Sequence, residues 1–173
     1  LSNREYASYC LLFTQALDKN YITITSDSLI KKAVTYYENH NDIASLALSY
    51  YYMGRTYFDM QDALQAQQAY LKALELGESL NSTDLLIKIN NSLGTLYSYQ
   101  DIYETALPLY KKTLSLLEGS NDSTRISFAL RNTARVFTQT QQLDSAIYYY
   151  RQAIEIATPK SISSLYNDLG YLY

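Results

Sequence analysis

A forty-residue period in small and aromatic residues constrains this chain more than any other feature. Gly54 and Gly94 lie 40 residues apart, and each is followed three positions later by a tyrosine, Tyr57 or Tyr97. Ala134 and Phe137 hold the same two places after another 40, and Gly170 and Tyr173 after a further 36. A second trio runs in step: Ala66, Tyr70, Ala73, then Ala106, Tyr110, Thr113, then Ala146, Tyr150, Ala153. Small, aromatic, small at intervals of four and three marks one face of a helix. The first half of each unit has the same helical spacing, so each unit is predicted to be a hairpin of two helices. The two would touch where glycine or alanine permits close approach, with rings filling the space between one hairpin and the next.

Composition fits that picture and removes others. Of 173 residues, 20 are tyrosine and only seven are glycine or proline. Long helices with short turns explain the second number, and a recurring aromatic packing position explains the first. At 47% apolar residues and a net charge of −3, the chain is too apolar and too weakly charged to be disordered. Its apolar runs are a few residues long, too short to span a bilayer. One cysteine excludes an internal disulfide framework and a cysteine-ligated zinc site, and leaves the redox compartment open. The acidic balance argues against general nucleic-acid binding. The chain begins with leucine and stops at Tyr173 within a further unit, so it is read as a piece of a longer protein whose repeats continue.

Large residue, two residues, Leu-Gly, two residues, Tyr, then Ala, three residues, aromatic, two residues, Ala is the order of the tetratricopeptide repeat. Tyr50, Met53, Gly54, Tyr57, Ala66, Tyr70 and Ala73 carry it best. Asn90, Leu93, Gly94, Tyr97, Ala106, Tyr110 and Thr113 follow, then Leu130, Thr133, Ala134, Phe137, Ala146, Tyr150 and Ala153. The chain therefore resembles that family in its long-repeat branch, since 40 exceeds the usual period of about 34. The extra residues fall around Gly77–Thr83 and Gly119–Thr124, where longer helices are expected. Asn90 in a large position is expected to weaken its interface, and the usual turn glycine is replaced by Gln61, Asp101 and Gln141. The resemblance implies an all-α fold, a right-handed superhelical solenoid of antiparallel hairpins.

One solenoid is expected over 1–173: a degenerate repeat at 1–40, repeats at 41–80, 81–120 and 121–160, and the first helix of another at 161–173. Helices are predicted over Asn3–Leu17 and Ser28–Asn39, with an insertion at Asp18–Asp27 whose Ile22 and Ile24 suggest an extended stretch. Others are predicted over Asn41–Met60, Asp62–Gly77, Asp84–Tyr99, Ile102–Leu117, Thr124–Thr140 and Leu143–Ala157. Caps are expected at Ser26 or Asp27, at Asn81-Ser82-Thr83, at Asn121-Asp122-Ser123 and at Ser161. Pro108 removes an amide hydrogen bond inside a predicted helix, where a kink is expected.

No catalytic, cofactor or metal site is predicted. His40 has no nucleophile or metal partner near it in sequence, and Cys10 sits at a small-residue helix position as a buried thiol. No phosphate loop, zinc-binding motif or nucleophile elbow appears. Eight tyrosines (50, 57, 70, 97, 110, 150, 166 and 173) fall on signature core positions; Tyr51, Tyr99 and Tyr171 do not.

In tetratricopeptide proteins the first helix of each hairpin lines the concave side. That resemblance assigns to the groove Leu48, Tyr51, Arg55, Phe58 and Asp59, then Lys88, Asn91, Ser92, Thr95 and Tyr99. It adds Phe128, Arg131, Asn132, Arg135 and Gln139, and Ser164, Asn167, Asp168 and Tyr171. Four cations face two acids there, within an acidic chain. Asparagine offers both donor and acceptor atoms to an extended backbone, and arginine offers a fork to carboxylates. The candidate groove residues are Tyr51, Arg55, Phe58, Lys88, Asn91, Tyr99, Arg131, Asn132, Arg135 and Gln139. The expected partner is a protein or peptide segment, extended and acidic or polar. Solvated helix-surface charge is the alternative for the same residues. The family's chaperone-tail clamp does not transfer: its places fall on Tyr51, Arg55, Ser92, Phe128 and Asn132, or on Asn91, Thr95, Asn132, Ser164 and Asp168.

The opening stretch Leu12–Tyr21 with Ser26–Ile30 also resembles the repeat segment of bacterial membrane-associated regulators. This implies a sensor or scaffold arm, periplasmic or membrane-tethered, with a cytoplasmic location as the alternative. Competing readings are a self-associating structural solenoid, through its open ends or through Tyr148 and Tyr149, and an RNA-binding helical array. The acidic charge counts against the last.

Overall fold

The computed structural model describes residues 2–172, and every regular element among them is an α-helix. In order these are α1 (Asn3–Lys19), α2 (Ser28–Glu38), α3 (Ile43–Asp59), α4 (Ala63–Ser79), α5 (Thr83–Tyr99), α6 (Tyr103–Leu116), α7 (Ser123–Gln139), α8 (Leu143–Glu155) and α9 (Pro159–Gly170). The chain forms two compact units, one reaching to Ser92 and the other starting at Leu93, so the boundary falls inside α5.

The turns reveal a period half that of the repeat. Tyr21, Asn41, Gln61, Asn81, Asp101 and Gln141 all have positive φ, between 49° and 61°. They follow one another at intervals of 20, with the place near 121 taken instead by Gly119 at φ 76°. A 17-residue helix plus a three-residue turn makes 20, as in α3, α4, α5 and α7. At five of these turns the amide just after the left-handed residue donates to the carbonyl five residues back, for instance Asp62 to Tyr57 at 2.9 Å and Gln142 to Phe137 at 2.8 Å. This is the closing bond of a Schellman cap. Glycine is not required for it, but each non-glycine residue there carries a steric cost.

Capping aspartates begin the next helices. Asp42, Asp62 and Asp122 accept from the amides of Ser45, Gln65 and Arg125 at 3.0–3.1 Å. Ser2 and Glu5 form a reciprocal capping box on α1. Two expected starts differ. Asp27 caps α2 without a side-chain bond, the Ser28 amide reaching the Ser26 hydroxyl instead. The start of α9 is Thr158 with Pro159 in the first turn, because proline fits where no amide is needed, and this leaves Ser161 inside the helix. The longer helix expected after Gly77 is present, whereas the stretch 117–122 is a turn around Gly119 and α6 ends at Leu116. Helix α6 runs through Pro108, whose ring lies on the exposed side.

In unit 1, α1 pairs with α2 and α3 with α4, and α2 packs on α3. A methyl at Gly54 would collide with the Tyr70 ring, so the glycine makes room for the aromatic side chain within its own hairpin. The ring thus has one face against its own hairpin, and in the second unit Tyr110 also clusters with Val136 of α7 and Tyr150 with Leu165 of α9, between one hairpin and the next as expected. Tyr52, Tyr70, Ile30 and Ile89 are fully enclosed. The Tyr50 hydroxyl donates to Glu38 and accepts from Lys72 Nζ at 3.1 Å. Asn90 is buried too, but its Nδ2 donates to the Leu86 carbonyl at 2.7 Å, so the predicted weak point is satisfied within the helix.

Unit 2 repeats the device: a methyl at Gly94 would stand 2.7 Å from Tyr110 Cε1. Leu130, Ala134, Phe137, Tyr150 and Leu165 form its main cluster. Tyr166 is 56% exposed and Gly170 meets nothing within 4 Å, so neither packs as the repeat register predicts. Gly54 and Gly94 meet their rings on the second helix of the hairpin, and among the described residues no helix follows α9. Tyr173 lies outside the described residues.

Candidate functional site

Five of the predicted groove residues belong to unit 1. Arg55 donates from Nε to Asp18 Oδ1 at 2.6 Å, and its guanidinium lies 5.7 Å from the Phe58 ring centre. Burial works against the charge, but Tyr70 and Asp18 outweigh it and hold the arginine firmly protonated. Asp59 accepts the backbone amide of Ile24 at 3.0 Å, and Ile24 is buried. The extended stretch suspected at Ile22 and Ile24 is thus a strap pinned to the last turn of α3. Tyr57 adds a bond from its hydroxyl to Asp27 at 3.0 Å. Lys88 bridges to Asp84 one helical turn earlier at 2.7 Å, and Asn91 is half-buried. Tyr51, expected to face the groove, is buried. Its ring centre lies 4.9 Å from that of Tyr52 and 6.1 Å from that of Tyr70, and burial pushes its hydroxyl pKa up.

The other five belong to unit 2, where four of them come together. Tyr99, Asn132, Arg135 and Gln139 line a cleft of 560 Å³ together with Thr95 and Phe128. Ser98, Tyr103, Tyr110 and Val136 complete it. These last four escape a reading based on the groove positions of one helix, because Tyr103 opens α6 and Tyr110 and Val136 belong to the core. The Tyr110 hydroxyl donates to Thr95 Oγ1 at 3.3 Å, fixing the ring below the cleft. Asn132 is only 7% exposed, and its Nδ2 has no hydrogen-bond partner. A buried amide donor left unpaired costs about 1–3 kcal/mol.

Arg131, the fifth, donates from Nε to Asp168 Oδ2 at 2.7 Å. Arg135 reaches the same carboxylate from Nε at 3.1 Å and from Nη2 at 3.4 Å. Burial raises the Asp168 pKa, but the two guanidinium groups outweigh it and hold the carboxyl below its usual range. Two cations thus share one acid. The Arg135 side chain is 53% exposed at the mouth of the cleft, against 22% for Arg131. Phe128 is 50% exposed and Tyr99 77%.

Elsewhere Cys10 is buried, and burial pushes its thiol pKa up. The His40 ring stacks on Tyr36 at 3.8 Å, with Nδ1 2.6 Å from the Tyr36 carbonyl. Among the described residues, no group of three or more histidine, cysteine or acidic side chains is arranged to hold a metal, and no helix is long and apolar enough to cross a membrane.

A family profile described as tetratricopeptide repeat matches residues 45–119 and 85–158, together well over half of the chain. An uncharacterized protein, ycf37, from Cyanophora paradoxa is 35% identical over 97 residues, which are 56% of this chain and 51% of that protein. The chain therefore spans about half the length of that relative. BtubC (BKLC) from P. vanneervenii matches with a TM-score of 0.83 at 17% identity, over 96% of this chain and 71% of that one. A signal transduction ATPase with numerous domains from Pyrococcus horikoshii, bearing a tetratricopeptide repeat sensor, matches at 0.79 and 14% identity, over 99% of this chain and 26% of that one. At such identities the likeness establishes the fold alone: a tandem array of helical hairpins.

Proposed function

The chain belongs to the tetratricopeptide repeat family, and on that premise we propose that it is a non-catalytic module that holds an extended protein segment on the α5 and α7 side of unit 2. The observation that carries this is Asn132: a buried Nδ2 donor without an acceptor, lining an open cleft. A peptide carbonyl supplies what that donor lacks. The partner is acidic or polar, because two arginines against one carboxylate leave one positive charge beside the cleft. Arg55 and Lys88 do not add to it, each having an acid of its own. Likeness to a protein with a repeat sensor supports a place as the sensor or scaffold segment of a larger regulatory protein, read as bacterial. The repeat division from 1–40 to 161–173 is part of the same proposal.

Titration calorimetry with an unstructured acidic peptide tests the reading. Arg135→Gln is expected to weaken binding about tenfold with little change in melting temperature, since it removes the surplus charge while Arg131 keeps its 2.7 Å bond to Asp168. Unchanged affinity overturns it. Arg131 is a poorer choice, because its removal also strips Asp168 of its nearest partner.

Self-assembly is the second reading, favoured by an aromatic ridge on α1. Tyr6, Tyr9 and Phe13 stack along the helix with ring centres 6.4 and 5.7 Å apart and remain 38–49% exposed. Light scattering decides it: a mass rising with concentration in the absence of peptide, and falling in Tyr9→Ser, supports this reading.

A further inference from the structure

We propose that the unit 2 cleft selects an aromatic side chain of the partner, adjacent to a carboxylate in the same extended segment. This rests on the binding reading above and names what that face recognises. The cleft volume of 560 Å³ falls within the range of about 300–1,000 Å³ typical of ligand sites. Its lining combines rings and hydrogen-bond donors. Tyr99, Tyr103, Tyr110 and Phe128 contribute the rings, and Phe128 and Tyr99 keep half or more of their surface in water. Covering those faces removes apolar surface from solvent. An aromatic guest adds stacked and edge-on ring contacts that an aliphatic side chain cannot make. Aromatic guests are therefore preferred over leucine or valine.

Two hydrogen-bond donors stand out in the polar half of the cleft. Asn132 offers a buried, unfilled Nδ2, and Arg135 presents a half-exposed guanidinium. A ligand must bring acceptors: a backbone carbonyl for Asn132 and an anionic oxygen for Arg135. The positive charge left after Arg131 and Arg135 share Asp168 excludes a cationic guest from a ring-lined site that would otherwise suit one. An aromatic residue with a carboxylate next to it satisfies both halves at once.

A panel of fluorescein-labelled glycine-serine decapeptides tests this on the full chain. The reference peptide carries aspartate, phenylalanine, aspartate at its centre; the others replace the phenylalanine by leucine or alanine, or both aspartates by asparagine. Affinity is read by anisotropy, and filling of the site by the side-chain amide resonance of Asn132, assigned by its loss in Asn132→Asp. Expected are at least tenfold weaker binding of the alanine peptide, a smaller loss for leucine, and a loss for asparagine. In Phe128→Ala, whose melting temperature should be unchanged, the preference for phenylalanine over alanine should shrink to within a factor of two. Equal binding of the phenylalanine and alanine peptides, with the Asn132 resonance shifting for both, overturns the aromatic inference and leaves the groove reading intact. An Asn132 resonance that no peptide moves overturns both.

Discussion

In unit 1 the positions assigned to a binding groove are already spent on the chain itself. Arg55 has Asp18, Asp59 holds the amide of the Ile24 strap, and Tyr51 is buried among other rings. In unit 2 the same positions are left in surplus. Two arginines divide one aspartate, Asn132 buries a donor with nothing to accept from it, and Tyr99 and Gln139 stand where Asp59 stands in unit 1. The scaffolding of the two is alike, glycine under a tyrosine ring and a left-handed residue at the turn inside each hairpin. Similar packing can thus carry either a closed face or an open one. The difference lies in the groove charges: Arg55 has an aspartate of its own in unit 1, whereas Arg131 and Arg135 share one in unit 2.

The shared scaffolding gives the largest expected effect. Gly54→Val and Gly94→Val should each destabilise by about 3 kcal/mol, the upper end of what overpacking a core costs. Urea denaturation measures both, and a value near zero at either site breaks the likeness of the units. Next come the acids. Asp18→Asn should cost about 2 kcal/mol, because Arg55 loses a charged hydrogen bond in a mostly enclosed site, and should leave peptide affinity unchanged. Asp168→Asn should also destabilise, yet raise affinity for an acidic peptide several-fold by releasing two guanidinium groups. Equal behaviour of the two variants in the binding measurement would erase the distinction between the units.

Acid titration sharpens the same point with a smaller effect. The Asp168 carboxyl has a lower pKa folded than unfolded, so the native state binds fewer protons and is favoured above the unfolded value. That stability is complete above about pH 4 and drains away as pH falls through the folded pKa. Between pH 6 and pH 2.5, Asp168→Asn should therefore lose less stability than the unaltered chain. The smallest effect is expected at the turns. Gln61→Gly and Gln141→Gly should each stabilise by about 0.5–1 kcal/mol, relief of the left-handed strain exceeding the added entropy of the unfolded chain. A similar gain in both units, read as a shift in urea midpoint, shows that the turns do not distinguish them.

The hairpins were legible in the sequence because the small and aromatic positions recur in register. Tyr70, Tyr110 and Tyr150 are buried where that register puts them. The tyrosines off the register show where it stops helping. Tyr51 and Tyr99 are both displaced from signature positions, yet one is buried and the other is 77% exposed. They hold different places in the repeat, Tyr51 that of Asn91 and Arg131 and Tyr99 that of Asp59 and Gln139, yet the groove assignment treats both places alike. Asp18 and Arg55 are 37 residues apart, as are Arg131 and Asp168, and such pairings depend on how consecutive hairpins pack. Asp59 was readable as a groove acid but not as the acceptor for Ile24, since the path of an irregular strap has no sequence period. The chemistry of Asn132 is legible in the sequence, while its burial and missing acceptor are properties of the folded cleft.

Backbone amide shift mapping of the full chain with the aspartate-phenylalanine-aspartate peptide tests the contrast between the units most directly. Saturable shifts are expected at Tyr99, Phe128, Asn132, Arg135 and Gln139, with Arg55, Phe58 and the Ile24 strap unmoved. Shifts centred on the strap and on α3 would contradict it.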